Sequence, residues 1–151
     1  MDKDNQALLL ENQICFPVYA VSRFITKLYG PFLQKLNITY PQYLVLLVLW
    51  EREQQTVSEL SEVLFLESNT LTPLLKRMEE KQLVERKRSV EDERKVMISL
   101  TEQGKDLKKE AECIPSMIIN EFNSEDMSMD EVVAFRSTLS KMLNMFKEKA
   151  S

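Results

Sequence analysis

The spacing of apolar residues changes after Leu83 and changes back after about residue 101, and this pattern limits the folds that the chain can adopt. Before Leu83, and again after about residue 101, apolar residues recur every three or four positions, which indicates amphipathic helices. Between residues 95 and 100 they alternate between two faces, which indicates a half-buried strand. Residues 83–88 can pair with that strand in the antiparallel sense across the charged loop SVEDER. The sequence therefore predicts a mainly α fold with one β-hairpin.

Three capping boxes mark where helices begin. Each places a Ser or Thr three residues before a Glu or Gln, so that the side chains satisfy N–H groups of the first turn. The three pairs are Thr39 with Gln42, Thr56 with Glu59, and Ser128 with Glu131. They predict helices over 40–52, over 57–64, and from 129 toward the carboxyl end. The continuous run of Leu and Val in the first of these predicts burial on all sides.

An apolar stripe predicts a further long helix near the amino end, from about Cys15 to Lys35. Pro17 is tolerated only in the first turn of a helix, because it has no N–H and its ring disrupts any later turn. Cys15 is therefore expected at the amino-terminal end of this helix. The pair Gly30 and Pro31 is expected to kink or end it.

Two more helices flank the predicted hairpin. Ser68 is expected to cap one that runs to about Lys81. Thr101 is expected to cap the other, which carries a seven-residue apolar repeat and a kink at Pro115.

This order of elements matches a winged helix-turn-helix, in which the second helix of a pair enters the DNA major groove. We therefore expect one domain over 1–151, with helices and a two-stranded β-hairpin wing forming a DNA-binding lobe over 37–100. The helices within 10–36 and 101–151 carry more apolar surface than so small a module can cover. A second copy of the chain would cover it, so we expect 10–36 and 101–151 to form the dimerisation region of a homodimer.

Composition excludes several classes of function. The chain has no histidine, which excludes Ser-His-Asp and Cys-His catalysis and His-based zinc sites. Two glycines are too few for a Gly-rich phosphate loop. The longest apolar run, over 43–50, is far shorter than the roughly 18 residues of a membrane span. We therefore expect a cytoplasmic protein that is not an enzyme and uses no cofactor, metal or membrane.

The helix predicted after residue 67 carries the first group of candidate DNA-contacting residues. Small polar residues at a helix amino terminus suit base edges and phosphates, because unpaired N–H groups and the helix dipole both favour anions there. The candidates on this helix are Ser68, Asn69, Thr70, Thr72, Lys76 and Arg77. Taken alone, this pattern favours an ordinary solvated helix with a polar start.

The hairpin adds the second group of candidates and favours DNA binding. Residues 66–95 carry eight Lys or Arg against seven Asp or Glu, although the whole chain has a net charge of −4. An arginine at a wing tip is what insertion into a narrow minor groove requires. Asp92 is expected to hold Arg94 extended through a bidentate pair. The wing candidates are Arg86, Lys87, Arg88, Asp92 and Arg94.

A thiol at a helix amino terminus suggests a second kind of chemistry. Peroxide reacts with the thiolate form, which the positive end of a helix favours. Tyr19 lies one turn from Cys15, and Tyr29 and Tyr40 lie at the ends of adjoining helices, where a phenol could donate to the thiolate. Composition alone favours the plainer alternative, in which Cys15 and the tyrosines only pack.

Several blocks of sequence, at consistent intervals, resemble one family. They are ENQICF, NITYPQYLVLLVLWE, ESNTLTPLLKRMEE, RKRSVEDERKV and ISLTEQGK. The chain resembles the multiple-antibiotic-resistance regulator (MarR) family over nearly its whole length. Within that family it resembles the OhrR branch of organic-hydroperoxide-responsive repressors and the related MgrA and SarZ thiol switches.

The resemblance implies a homodimeric winged-helix repressor of an inverted-repeat operator that responds to oxidative stress. It implies that Cys15 is the reactive cysteine, oxidised to sulfenic acid, and that Tyr29 and Tyr40 hydrogen-bond it across the dimer. A disulfide with a low-molecular-weight thiol, or with Cys113 of the second subunit as resolving thiol, then releases the DNA. Pro17 departs from the family pattern, and Cys113 lies closer to Cys15 than expected.

Three other functions stay open at this point. One is a MarR-type repressor that responds to a small phenolic or lipid ligand, with Cys15 incidental. Another is a thiol peroxidase, and the last is a winged-helix interaction module that does not bind DNA.

Overall fold

A computed structural model of the chain describes residues 6–123 and 126–150. The elements, in chain order, are a short 3-10 turn Leu10–Asn12, α1 Cys15–Lys35, α2 Tyr40–Arg52, β1 Gln54–Thr56, α3 Val57–Leu64, α4 Ser68–Glu80, β2 Val84–Arg88, β3 Val96–Leu100, α5 Glu102–Ala111, α6 Ile114–Phe122 and α7 Met129–Ala150. Contacts divide the chain into two units, Met1–Glu112 and Cys113–Ser151. The first unit therefore contains β1, β2 and β3 and the helices of the predicted DNA-binding lobe.

The capping boxes place the helix starts as predicted. The Thr56 N–H donates to Glu59 Oε2 at 2.7 Å, and the Glu59 N–H donates to Thr56 Oγ1 at 3.1 Å. These hydrogen bonds lower the pKa of the Glu59 carboxyl, since they stabilise its charged form. The Thr39 N–H likewise donates to Gln42 Oε1 at 3.1 Å. Side chains three residues apart thus satisfy first-turn donors that have no partner inside the helix.

α1 spans Cys15–Lys35 as predicted, and it continues through Gly30 and Pro31, where a kink or an end was expected; Leu33 beyond the proline is buried. The cap of α4 differs from the prediction. Glu67, not Ser68, is the N-cap of α4, with φ −67° and ψ 148°.

The helix predicted as kinked at Pro115 is instead two helices, α5 and α6. The helical chain breaks at Glu112 and Cys113, just before Pro115, which lies in the first turn of α6. This position is where a residue without an N–H is tolerated, because the missing donor would have no partner there.

The hairpin forms as predicted, and it is joined by a third strand. β3 is central, with β2 on one side and β1 on the other, both antiparallel to it. Ile98 is paired with Arg86 of β2 and with Gln55 of β1. β1 consists of the polar sequence QQT, so it shows no apolar alternation from which a strand could be predicted.

The core of the first unit lies where α2, α3 and α4 meet the sheet. Its fully buried side chains include Leu46, Leu49, Leu60, Leu71, Leu75, Met78 and Ile98. Burying a side chain of this kind contributes roughly 1.5–3 kcal/mol. α2 is not buried on all sides as predicted, because Leu47 is 40% exposed on its outer face.

The flanking helices expose much of their apolar surface. On α1, Val18, Val21, Phe24 and Leu28 are exposed. On α7, no described residue is fully buried, and Phe135 and Phe146 are exposed. Among the described helices, none combines the length and apolarity that crossing a bilayer requires.

Candidate functional site

α4 is anchored by one face and presents the other to solvent. Leu71, Leu75 and Met78 are fully buried on the anchoring face. Most of the predicted contact residues lie on the open side: Ser68, Asn69, Thr70, Lys76 and Arg77 are exposed, and Thr72 is half-buried.

The first turn of α4 holds its polar groups close to the backbone. Thr72 Oγ1 donates to the Ser68 carbonyl at 2.8 Å, and Thr70 Oγ1 donates to Asn69 Oδ1 at 3.4 Å. The side chain of the N-cap residue, Glu67, makes no capping hydrogen bond. The amino end of α4 therefore keeps N–H groups available to an anion or a base edge.

The tip of the wing is a tight turn fixed by its own backbone. The Ser89 N–H donates to the Lys95 carbonyl at 2.8 Å, and the Lys95 N–H donates to the Asp92 carbonyl at 2.9 Å. Asp92 Oδ1 accepts the backbone N–H of Arg94 at 3.1 Å. Asp92 does not form the predicted bidentate pair with the Arg94 guanidinium, because its carboxylate shapes the turn instead. Arg94 is left exposed at the tip.

The basic residues of β2 have different surroundings. Lys87 and Arg88 are exposed, and Lys87 Nζ lies 2.7 Å from Glu85 Oε2. Arg86 is half-buried against α4, where its N–H donates to Glu79 Oε1 at 3.2 Å and its Nη1 lies 3.6 Å from Glu79 Oε2. Its Nε is buried and has no hydrogen-bond partner within the described structure. Arg86 thus joins the wing to α4, whereas the side chains of Lys87 and Arg88 are exposed.

Tyr29 and Tyr40 come together, although they lie on different helices. Their ring centroids are 4.8 Å apart, and Tyr43 packs against them at 5.8 and 6.5 Å. Burial raises the pKa of Tyr29 and that of Tyr40, and the charge of an ionised Tyr40 raises the pKa of Tyr29 further. Both phenols therefore stay protonated near neutral pH and can donate a hydrogen bond.

Cys15 and Tyr19 lie apart from that pair. Cys15 is exposed at the first position of α1. Fourteen helical positions separate it from Tyr29, which is about 21 Å along the axis. The Tyr19 hydroxyl accepts a hydrogen bond from Arg23 Nη1 at 3.0 Å. One chain therefore does not bring the predicted thiol together with Tyr29 and Tyr40, and the Tyr19 hydroxyl, one turn away, is paired with Arg23.

Cys113 is exposed and precedes α6. Its carbonyl accepts a hydrogen bond from Ser116 Oγ at 2.8 Å. No group of three or more His, Cys, Asp or Glu side chains in the described ranges has a geometry that could hold a metal ion.

Sequence reasoning missed three residues that organise this region. Trp50 Nε1 donates to the Gly104 carbonyl at 2.9 Å and packs edge-on against Tyr43. Glu79 binds Arg86, and Lys81 binds the loop before α2. These contacts join residues that helical periodicity does not relate. One of these contacts could have been predicted from the sequence. Trp50 lies seven residues after Tyr43, which places the two side chains on the same face of α2.

Comparison with known proteins identifies the family. A family model described as transcriptional regulator SarA/Rot matches residues 27–111. The organic hydroperoxide resistance transcriptional regulator of Bacillus subtilis (strain 168) is 50% identical over 149 residues, which cover 99% of each chain. This chain belongs to the MarR/SarA family of transcription regulators. Within the family it is an OhrR/SarZ-like regulator, as its sequence predicted.

Two solved structures of MarR-type regulators share the fold of this family member. Reduced AbfR bound to DNA has a TM-score of 0.79 at 33% identity and is covered completely, as is this chain. A single-site mutant of MarR from E. coli, complexed with operator DNA, has a TM-score of 0.77 at 26% identity, with 95% of this chain and 99% of that one covered. The prediction of a winged helix is therefore confirmed.

Proposed function

We propose that this protein is a homodimeric transcription repressor that senses organic hydroperoxides through Cys15 and then releases an inverted-repeat operator. The observation that carries the proposal is the neutral phenol pair of Tyr29 on α1 and Tyr40 on α2, together with the exposed thiol at the start of α1. The similar B. subtilis regulator is named for organic hydroperoxide resistance. A hydroperoxide is the oxidant that fits this chemistry.

The apolar stripe of α1 supports a two-fold pairing of subunits. Val18, Val21 and Leu28 are exposed, and Ile25 completes the stripe. The four positions are symmetric about position 23, so the stripe of one α1 can cover that of an antiparallel copy in a self-complementary interface. Such a pairing brings the amino end of one α1 near position 29 of the other. We therefore place dimerisation in 10–36 and 101–151, and DNA binding in 37–100.

The oxidation step needs only the thiolate and one hydroperoxide. The Cys15 sulfur attacks the terminal peroxide oxygen, the O–O bond breaks, and the alkoxide takes up a proton and leaves as an alcohol. Sulfur is oxidised by two electrons to sulfenic acid, and the hydroperoxide is reduced by two. Phenol donors from the second subunit stabilise the thiolate and orient the peroxide.

A second thiol then converts the sulfenic acid to a disulfide and releases water. We propose Cys113 of the second subunit or a low-molecular-weight thiol for this step. The oxidised group at the dimer boundary moves the two reading helices out of register with the operator. Because each oxidation is stoichiometric, the protein acts as a switch and not as an enzyme. We propose that it acts in the cytoplasm.

The DNA-binding surface combines α4 with the wing. We propose that Ser68, Asn69, Thr70 and Thr72 read bases in the major groove and that Lys76 and Arg77 hold the backbone. On the wing, Arg94 enters the flanking minor groove, and Lys87 and Arg88 contact phosphates. Arg86 acts indirectly, because its contacts to Glu79 fix the wing against α4, and Asp92 acts by shaping the tip.

A second candidate function is suggested by a cavity of about 280 Å³ lined by Gly30, Leu33, Tyr40 and Lys81, among others. A phenolic or lipid effector could occupy it and release DNA without any thiol chemistry. A Cys15→Ser variant that still responds to its inducer would favour this function over hydroperoxide sensing.

The proposal is tested by a gel shift with a duplex selected from random DNA by the reduced wild-type protein. We expect reduced wild type and Cys15→Ser to bind alike, and cumene hydroperoxide to release only the wild type. Cys113→Ser is the matched control for loss of a thiol. If the oxidised wild type binds as tightly as the reduced one, the redox function is wrong.

A further inference from the structure

Lys81 is the first residue after the reading helix α4, and its side chain reaches the loop between α1 and α2. Its Nζ donates to the carbonyl oxygen of Asn37 at 2.6 Å and to Oε1 of Gln42 at 3.2 Å. These partners lie 44 and 39 positions away in the sequence. One ammonium group therefore joins the end of α4 to the start of α2.

The charge of Lys81 suits this position. α1 ends at Lys35 and is followed by Asn37, which has a left-handed φ of 54° and directs its carbonyl to the ammonium. α4 ends at Glu80, directly before Lys81. The carboxyl ends of helices carry partial negative charge and attract cations. Lys81 thus links the carboxyl end of α4, which it directly follows, to the loop after α1, which its ammonium contacts.

The second acceptor, Gln42, connects this contact to the tyrosine pair. Gln42 is 3% exposed, and its Oε1 also accepts the Thr39 N–H that caps α2. Tyr40 lies in the same first turn of α2, and its ring contacts that of Tyr29. The amide that Lys81 holds is therefore built into the turn that carries Tyr40.

A cavity lies beside both Lys81 and Tyr40. Lys81 and Tyr40 both line the cavity of about 280 Å³, and Gly30 contributes no side chain to it. A shift of Tyr40 into that space would move the first turn of α2 and, with it, the buried side chain of Gln42.

We propose that Lys81 is a positioning residue that couples the Tyr29–Tyr40 pair to the orientation of α4. The inference rests on the proposed function, because it explains how a change at the tyrosines reaches the DNA-reading helix. When the first turn of α2 shifts, Gln42 and the loop carbonyl draw Lys81 with them, and the carboxyl end of α4 follows. Coupling of this kind is reciprocal, so operator binding at α4 must also change the surroundings of the Tyr40 ring.

The experiment uses the reduced full-length protein labelled with 3-fluorotyrosine and the duplex selected by the wild type. The four tyrosine ¹⁹F resonances are assigned with Tyr→Phe variants. We expect operator binding to shift the Tyr40 resonance in wild type, and to shift it by less than half as much in Lys81→Met, under saturating duplex. Lys81→Arg keeps a cation that can reach both acceptors and should restore the shift. Lys35→Met is the matched control for loss of an exposed lysine beside the same loop.

A second measurement follows the switch itself. Operator dissociation constants are compared before and after hydroperoxide, where coupling of typical size changes affinity about 5- to 150-fold. We expect the wild-type ratio in that range, and a ratio below about threefold for Lys81→Met, with Lys81→Gln as a second variant should the first not fold.

Two results would overturn the inference: a Tyr40 resonance that does not move when wild type binds the duplex, or one that moves equally in Lys81→Met. A wild type that binds no duplex, or stays bound after oxidation, would instead contradict the proposed function.

Discussion

Glu79 holds the wing against the reading helix through Arg86. One carboxylate oxygen accepts the backbone N–H of Arg86 at 3.2 Å, and the other lies 3.6 Å from its guanidinium. Both side chains are partly exposed, so the ion pair itself contributes at most about 1 kcal/mol. Its importance is geometric, because α4 and the wing, the two elements proposed to read DNA, meet at this one carboxylate.

Glu79→Ala should therefore weaken operator binding about fivefold, by about 1 kcal/mol, with a far smaller change in thermal stability. Fluorescence anisotropy with a labelled duplex measures the affinity, and circular dichroism measures the melting temperature. Glu80→Ala removes a neighbouring exposed carboxylate and is the control. Equal affinities for the two variants would show that this contact does not position the wing.

Arg94→Ala should weaken operator binding and reduce its dependence on salt. An arginine inserted in the minor groove releases about one counterion, so the slope of log affinity against log salt should fall by about one. Titrations at several salt concentrations give the slope, with Arg136→Ala on α7 as the control for loss of a positive charge. An unchanged slope would place Arg94 outside the DNA interface.

Gly104→Ala should destabilise the fold. An added Cβ would lie 2.1 Å from the Leu83 carbonyl oxygen, so the backbone of α5 or of the wing must move. The expected loss is roughly 1–3 kcal/mol, as for other overpacked sites. Gly30→Ala is a matched control with nothing within 4 Å of its added Cβ, and it should instead stabilise α1 by up to about 1 kcal/mol. Chemical denaturation compares both variants, and equal stabilities would contradict the packing described for Gly104.

Burial of Tyr29 and Tyr40 should make stability fall at alkaline pH. The folded-state pKa of each phenol is raised above its unfolded value, so the unfolded state loses its protons first as pH rises. Stability should be unaffected below the unfolded pKa and should decline from there up to the folded pKa. Tyr40→Phe should flatten that decline, measured by urea denaturation at a series of alkaline pH values. A decline as steep as that of wild type would mean that Tyr40 is not the buried phenol responsible.

The elements that the sequence predicted well are those set by local chemistry. Thr56 and Glu59 satisfy each other's N–H groups within one turn, so the start of α3 is readable from four residues. β1 was missed because its residues are polar and it forms only by pairing with β3, more than 40 positions later.

The candidate sites divide in the same way. Tyr29 and Tyr40 were singled out from the sequence, but their ring contact, like the partners of Arg86 and Lys81, depends on how separate elements pack. The roles of the DNA-contacting residues and of Cys113 stay predictions, because they involve DNA or a second subunit.

The most direct test of the central claim is intact mass combined with non-reducing electrophoresis after one equivalent of cumene hydroperoxide. Wild type, Cys15→Ser and Cys113→Ser are compared, with operator binding measured on the same samples. The account predicts that wild type gains oxygen, a thiol adduct or a subunit crosslink, that Cys113→Ser gains oxygen or a thiol adduct without a crosslink, and that both release the operator. It predicts that the mass of Cys15→Ser does not change and that this variant stays bound to the operator. Oxidation and release that persist in Cys15→Ser would contradict it.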